Sequence, residues 1–205
     1  MNSALKNQLR QSLRARRRQI SAAQQQLAAQ QLMQRIIKLR AYRRARHIAA
    51  YQASDGEISP ALLLRHATLQ HKTCYLPRIH VGGAGQKYMS FQRYHPRQAL
   101  RLNRYGIGEP AGLRYGARSP KELDIVLVPL AGFDKHGGRL GMGGGFYDRC
   151  FAFKNRKPQR KPLLIGIAHH SQEVSALPID AWDIGLDVIV TDRTMILPRR
   201  GRGKR

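Results

Sequence analysis

Residues 132–148, GFDKHGGRLGMGGGFYD, hold the residue types that phosphate chemistry needs, in an order that could use them. Glycine lets a backbone approach a phosphate closely, and the N–H groups of a helix's first turn point at an anion. Arg139 puts a permanent positive charge inside the loop, as a planar fork suited to phosphoryl oxygens. Asp148 stands three residues past the last glycine, where a carboxylate could hold a divalent metal against those phosphates. The stretch reads as a nucleotide-phosphate site, but not as either of two familiar ones. A Walker loop would end in Gly-Lys-Ser/Thr, whereas Phe146 and Tyr147 follow Gly145. A GxGxxG fingerprint begun at Gly141 would need a glycine where Phe146 stands.

The flanks indicate how such a loop is held. Residues 124–131 (DIVLVPLA) are a β-branched apolar run that predicts a buried strand, and FYDRCFAF, from Phe146, opens a helix. Upstream, Leu5, Leu9 and Leu13 lie four apart, an apolar stripe on a basic helix whose Lys6 and Arg10 share one face. On the residues alone that face is a solvated one, and Arg14, Arg16, Arg17 and Arg18 read as surface charge. Ser21 with Gln24 forms a capping box opening a second helix over residues 22–45, buried through Leu32, Met33, Ile36 and Ile37. Residues 47–54 read as the first strand, Asp55-Gly56 as a turn, and Ser59-Pro60 as a helix start with Pro60 at the first helical position. Glu57 lies just past that strand, where open α/β sheets bind ligands, although by itself it is a loop carboxylate.

Further strands are predicted over residues 73–79 and 85–94, the latter a hairpin strand at the sheet edge, and in PLLIGIAHHSQEV (162–174) and DVIVTD (187–192). His169 and His170 would point to opposite faces of a strand and so could not chelate one ion. Trp182 reads as packing. Strands alternating with helices, without repeats, imply an α/β fold with a mostly parallel sheet.

The 205 residues suit one domain, and Lys+Arg 37 against Asp+Glu 12 gives +25, a field that draws polyanions such as nucleotides or RNA. No acidic residue precedes Asp55, and the chain closes on PRRGRGKR. Residues 1–193 are read as the domain and residues 194–205 as a basic, disordered tail. No run of eighteen apolar residues implies a membrane span, and no apolar h-region follows the basic N-terminus. Cys74 and Cys150, with no CxxC spacing, fit a reducing cytoplasm as small core residues.

GFDKHGGRLGMGGGFYDR resembles, over its length and without gaps, the signature of the 5-formyltetrahydrofolate cyclo-ligases, also called methenyltetrahydrofolate synthetases. It departs at Phe146, where the family often has the first of two tyrosines, so a role needing a hydroxyl there is lost; Tyr147 is kept. KNQLR from Lys6 is similar to the family's N-terminal K-x-x-L-R element, and Leu76-Pro77-Arg78, LNRYGIGEP (102–110) and LPIDAWDIGLDVIVTD (177–192) match further stretches. The resemblance implies a single three-layer α/β/α domain related to ribose-phosphate-isomerase and CoA-transferase-like folds. It implies that Lys6, Asn7, Gln8, Leu9 and Arg10 reach ATP together with Arg139, Leu140, Gly141, Met142, Gly143, Gly144, Gly145, Phe146 and Tyr147. Asp148 and Asp183 would hold Mg²⁺, and Gln52, Glu57 and Tyr147 the folate, with Arg139 and Tyr147 as catalytic residues; Tyr105 and Ile107 suit either the wall of a pteridine pocket or ordinary loop packing. The implied reaction is ATP-dependent closure of 5-formyltetrahydrofolate to 5,10-methenyltetrahydrofolate by a cytoplasmic monomer. Two rivals remain at this point. A basic RNA-binding protein on a degenerate enzyme scaffold would account for the charge, although aromatics are few and not interleaved with the basic runs. A sugar-phosphate isomerase of the same fold class would act without ATP.

Overall fold

The computed structural model describes residues 2–83, 86–103, 106–110, 116–156 and 161–198. In chain order these form α1 (Asn2–Arg18), α2 (Ala22–Ile37), α3 (Arg40–Arg44), β1 (His47–Ala49), α4 (Ala61–Leu69), β2 (Thr73–Val81), β3 (Lys87–Tyr94), β4 (Leu100–Leu102), β5 (Gly108–Pro110) and β6 (Ala117–Arg118). There follow β7 (Ile125–Pro129), β8 (Gly132–Phe133), β9 (Arg139–Leu140), α5 (Phe146–Phe151), α6 (Phe153–Arg156), β10 (Leu163–Ile167), β11 (Val188–Val190) and β12 (Met195–Ile196).

Eight strands build one sheet in the order β12-β11-β10-β7-β1-β2-β3-β6. The five from β11 to β2 run parallel, and β3, β6 and β12 add antiparallel margins. Side chains alternate across the strands and fill two layers. Ile48, Ile125, Leu127, Ile165 and Val188 pack with Leu32 and Ile36 of α2 and Leu63 and Leu64 of α4. Ala49, Val126, Val128, Leu164 and Ile189 pack on the other face with Phe91, Phe133 and Phe151. The fold is α/β, helices flanking a large, mostly parallel central sheet.

From β1 the chain winds outward to β2 and β3 in one direction, and from β7 to β10 and β11 in the other. The switch point therefore lies between β1 and β7, and the loops leaving their C-terminal ends part there, opening a crevice. Those loops are residues 50–60, with Glu57, and residues 130–145, with the glycines.

Several expectations need correction. Helix 22–45 breaks at Leu39, whose extended ψ of 131° lets α3 turn so that Tyr42 sinks into the core and its hydroxyl meets His66 Nδ1 at 2.8 Å. The first strand ends at Ala49, because Tyr51 turns inward to donate to the Ile58 carbonyl at 2.6 Å. Pro60 caps α4 rather than opening its first turn. The strand at 87–94 is one place in from the margin, covered by β6. Residues 194–198 do not belong to a tail: Met195–Ile196 pairs with β11, sheltering its edge, and Pro198 lies against the Gly137 turn. The remainder of that segment, 199–205, falls outside the described residues, as does Tyr105. Among the described residues, no helix is long and apolar enough to cross a membrane.

Candidate active site

The glycine-rich stretch is a hairpin before it is a loop. β8 and β9 pair, and Asp134 between them accepts from His136 N at 2.9 Å, Gly138 N at 3.0 Å and Leu177 N at 3.0 Å. Gly138 fits only without a side chain, since a Cβ there would meet Asp134 Oδ2 at 2.5 Å. The hairpin thus delivers Arg139 on a strand, 7% exposed, its Nε donating to the Ile184 carbonyl at 2.9 Å and its Nη2 to Asp148 Oδ1. Gly145, with φ of 62°, then turns the chain into α5. α5 has only six residues, so its dipole is small, and side chains supply most of the positive field.

Those side chains come largely from α1. Leu13, 1% exposed, anchors this helix beside Ala131, Leu140 and Leu177, while Leu5 is 48% exposed, so the apolar stripe is only partly buried. The adjoining face carries Lys6, which bridges Asp180 Oδ2 at 2.7 Å and Asp183 Oδ2 at 2.8 Å, and Arg10, which donates to the Gly141 carbonyl at 2.8 Å. Burial would lower the Lys6 pKa, but these two carboxylates outweigh it and hold the ammonium above its usual value.

Two cavities adjoin here. One, of about 610 Å³, is lined by Lys6, Asn7, Arg10, Arg139, Leu140, Gly141, Gly143, Gly145, Asp148 and Asp183. The other, of about 500 Å³, is lined by Gln52, Glu57, Ile107, Met142, Gly144, Phe146 and Tyr147 and is the more apolar. Arg139, Gly141, Gly145 and Asp148 line both. Met142, Gly144, Phe146 and Tyr147, expected around ATP, thus face the second cavity. Gln8 and Leu9 line neither: Gln8 is exposed and Leu9 leans on the Leu13 cluster.

In the second cavity Glu57 Oε2 accepts from Ser54 N at 3.0 Å. Burial raises the Glu57 pKa, and Ser54 N–H and the Arg17 charge only partly offset this. Burial also pushes the Tyr147 and Tyr51 phenols up, with the charge of Glu57 adding to the effect, so both remain donors at neutral pH.

The reading of Arg14, Arg16, Arg17 and Arg18 as surface charge holds for the exposed Arg16 and Arg18 and is wrong for the buried Arg17 and the half-buried Arg14. Arg17 is 0% exposed, and Arg14, Arg17 and Arg18 all converge on Asp55. Burial would raise the Asp55 pKa, but hydrogen bonds from Arg18 and Arg14 and the charges of Arg14 and Arg17 hold it at about 2. Arg14 also lines the second cavity. Its signal was available: positions 6, 10 and 14 share one helical face. Trp182 is not packing either, being 68% exposed on the rim of the first cavity with Asp180 and Asn155. His169 and His170 lie beyond β10; His169 is buried against Gln25 and the Gly56 carbonyl, and burial lowers its pKa, so it stays neutral.

The 5-formyltetrahydrofolate cyclo-ligase family model matches residues 2–192. A 5-formyltetrahydrofolate cyclo-ligase from Haemophilus influenzae is 38% identical over 192 residues, covering 93% of this chain and 100% of that protein, and one from mouse is 27% identical over 192 residues, covering 93% of this chain and 94% of that protein. The Aquifex aeolicus 5,10-methenyltetrahydrofolate synthetase structure superposes with a TM-score of 0.78 at 30% identity, over 98% of this chain and 96% of that one. Because the match spans the basic helix, the glycine hairpin and the Asp183 segment alike, this enzyme belongs to the 5-formyltetrahydrofolate cyclo-ligase family.

Proposed function

We propose that the chain closes 5-formyltetrahydrofolate to 5,10-methenyltetrahydrofolate at the expense of ATP. The observation that carries this is the wall of Arg139, Gly141, Gly145 and Asp148 shared by a cationic cavity and an apolar one. A triphosphate lying along Lys6, Arg10 and the glycine hairpin would bring its terminal phosphoryl group to that wall. A pteridine in the second cavity, held by Gln52, Glu57 and Tyr147, would bring its formyl oxygen to the same place.

An N-formyl group is a poor electrophile, and its oxygen a poor leaving group. The formyl oxygen attacks the terminal phosphorus, an O–P bond forms, the bond to the β-phosphate breaks, and ADP departs. The carbon is now an iminium bearing phosphate; N10 attacks it, phosphate leaves with the former formyl oxygen, and the N10 proton is lost. The chain's work is positioning and charge neutralisation, with Arg139 bonded to the phosphoryl oxygens as they transfer.

Asp148 and Asp183 both line the first cavity, and among the described residues each uses one carboxylate oxygen for its protein contacts. Among the described residues no group of three or more His, Cys, Asp or Glu side chains could cage a metal. One or two carboxylates completed by phosphates is the set magnesium favours, so the residues fit Mg²⁺. Bound there, Mg²⁺ would neutralise phosphate charge.

The test is the methenyl chromophore. Its absorbance should rise only when 5-formyltetrahydrofolate, ATP and Mg²⁺ are all present. No rise with the complete mixture, or turnover of a sugar phosphate without ATP, would overturn the proposal.

A further inference from the structure

A buried guanidinium is costly to desolvate, so its partners indicate what holds it there. Arg17 donates from Nε to the Asp55 carbonyl at 2.8 Å, from Nη2 to Asp55 Oδ2 at 2.9 Å and from Nη1 to the Leu130 carbonyl at 3.4 Å. The same Nη1 stands 3.7 Å from Glu57 Oε1. These partners sit on the two loops that part at the switch point: the turn after β1, and the exit of β7 into the glycine hairpin. The turn is pinned from other sides too, with Gln25 Nε2 donating to the Gly56 carbonyl at 2.7 Å and His169 Nε2 3.2 Å from that oxygen. A Cβ on Gly56 would press on the Arg17 carbonyl oxygen at 3.1 Å, so the turn lies directly on the end of α1.

We propose that Arg17 is a positioning residue: it fixes the Glu57 carboxylate in the folate cavity and ties it to the strand end that carries the glycine hairpin. The inference rests on Glu57 being a folate ligand. A lysine in its place would keep the charge but could not span Asp55, Leu130 and Glu57 from one planar group. Among the described residues, the charged and titratable groups around Glu57 are Arg17 and Arg14 from α1, Asp55 on its own turn, Tyr51 after β1 and Tyr147 of α5, with Arg139 of β9, Asp148 of α5 and Glu109 of β5 lining the same cavity.

The sign of each substitution follows from these neighbours. Burial raises the Glu57 pKa, Arg17 counters it, and Asp55 adds to it. Arg17→Met removes the countering charge, so Glu57 takes up its proton at higher pH and the acid limb of kcat/KM for 5-formyltetrahydrofolate moves up. Asp55→Asn removes a neighbouring negative charge, so the limb moves down. A purely structural role would lower the folded fraction, checked by urea unfolding, without moving the limb in opposite directions.

The experiment measures kcat and KM for both substrates across the acid limb in Arg17→Met, Arg17→Lys, Asp55→Asn and Glu57→Gln. The expected result is a rise of about tenfold in the folate KM of Arg17→Met with the ATP KM nearly unchanged, and limbs displaced in opposite senses for Arg17→Met and Asp55→Asn. Arg17→Lys should return the limb toward its original position while recovering only part of the KM. If Arg17→Met does not fold, Arg17→Lys and Asp55→Asn carry the test. An unmoved limb in Asp55→Asn with an unchanged folate KM in Arg17→Lys overturns the role of Arg17. A silent Glu57→Gln overturns the folate assignment itself, so the two failures are distinguishable.

Discussion

Replacing Arg139 by methionine removes the one cation that, among the described residues, lines both cavities, while keeping similar bulk. The wild-type side chain is 5% exposed, and its partner Asp148 is 24% exposed. In the variant the Ile184 carbonyl loses its donor, and Asp148 keeps only the Ile184 N–H, at 3.1 Å. An unpaired buried carbonyl and a partly solvated, half-satisfied carboxylate together cost roughly 2–4 kcal/mol. A domain stable by about 5–15 kcal/mol remains folded after such a loss, so unfolding cannot account for a large fall in rate. Loss of a forked charge at the transferring phosphoryl group should lower kcat by roughly a thousandfold, equivalent to about 4 kcal/mol of barrier. Methenyl absorbance gives the rate, and urea unfolding gives the folded fraction. Arg139→Lys, which restores charge without the fork, should recover only part of the loss. Turnover of Arg139→Met within about threefold of wild type would refute the reasoning, because the shared wall would then contribute no transition-state charge.

Two further outcomes follow from the same geometry. Trp182, the chain's one tryptophan, stands exposed on the rim of the 610 Å³ cavity, so ADP should alter its fluorescence, and a spectrum unchanged at saturating nucleotide would place the base elsewhere. Asp55 has a carboxyl held at about 2 against an ordinary 3.8, so its contribution to stability is complete above the higher value and fades as pH falls through the lower one. Asp55→Asn should therefore flatten the loss of urea stability across that interval, and an undiminished slope would show that the arginine cluster is not its source.

What could be read in advance depended on whether a residue's partner was close in sequence. The glycine hairpin announces itself because strand, glycines, Arg139 and Asp148 are contiguous. The capping box of α2 is complete within four residues, Ser21 to Gln24, and forms as expected. Arg17 shows the opposite case. Its principal partner, Asp55, is 38 residues away, and a run of arginines without nearby acids looks solvated until the β1 turn is folded against it. Trp182 was misread for a related reason: a lone tryptophan favours burial by type, and only the cavity beside Asp180 shows why it faces water here. The tail boundary failed because a two-residue strand such as Met195–Ile196 has no periodicity of its own and exists only through its pairing with β11.

Helix α1 presents Lys6 and Arg10 to one cavity, Arg14 to the other, and Arg17 to the turn beneath. It thereby works as a ruler whose graduations are residues. Inserting or deleting a single residue between Arg10 and Arg17 would rotate one half against the other by about 100° and break the register between the side chains facing the two cavities and the turn. A substitution on this helix disturbs one contact, whereas a change in its length between those arginines disturbs all of them together.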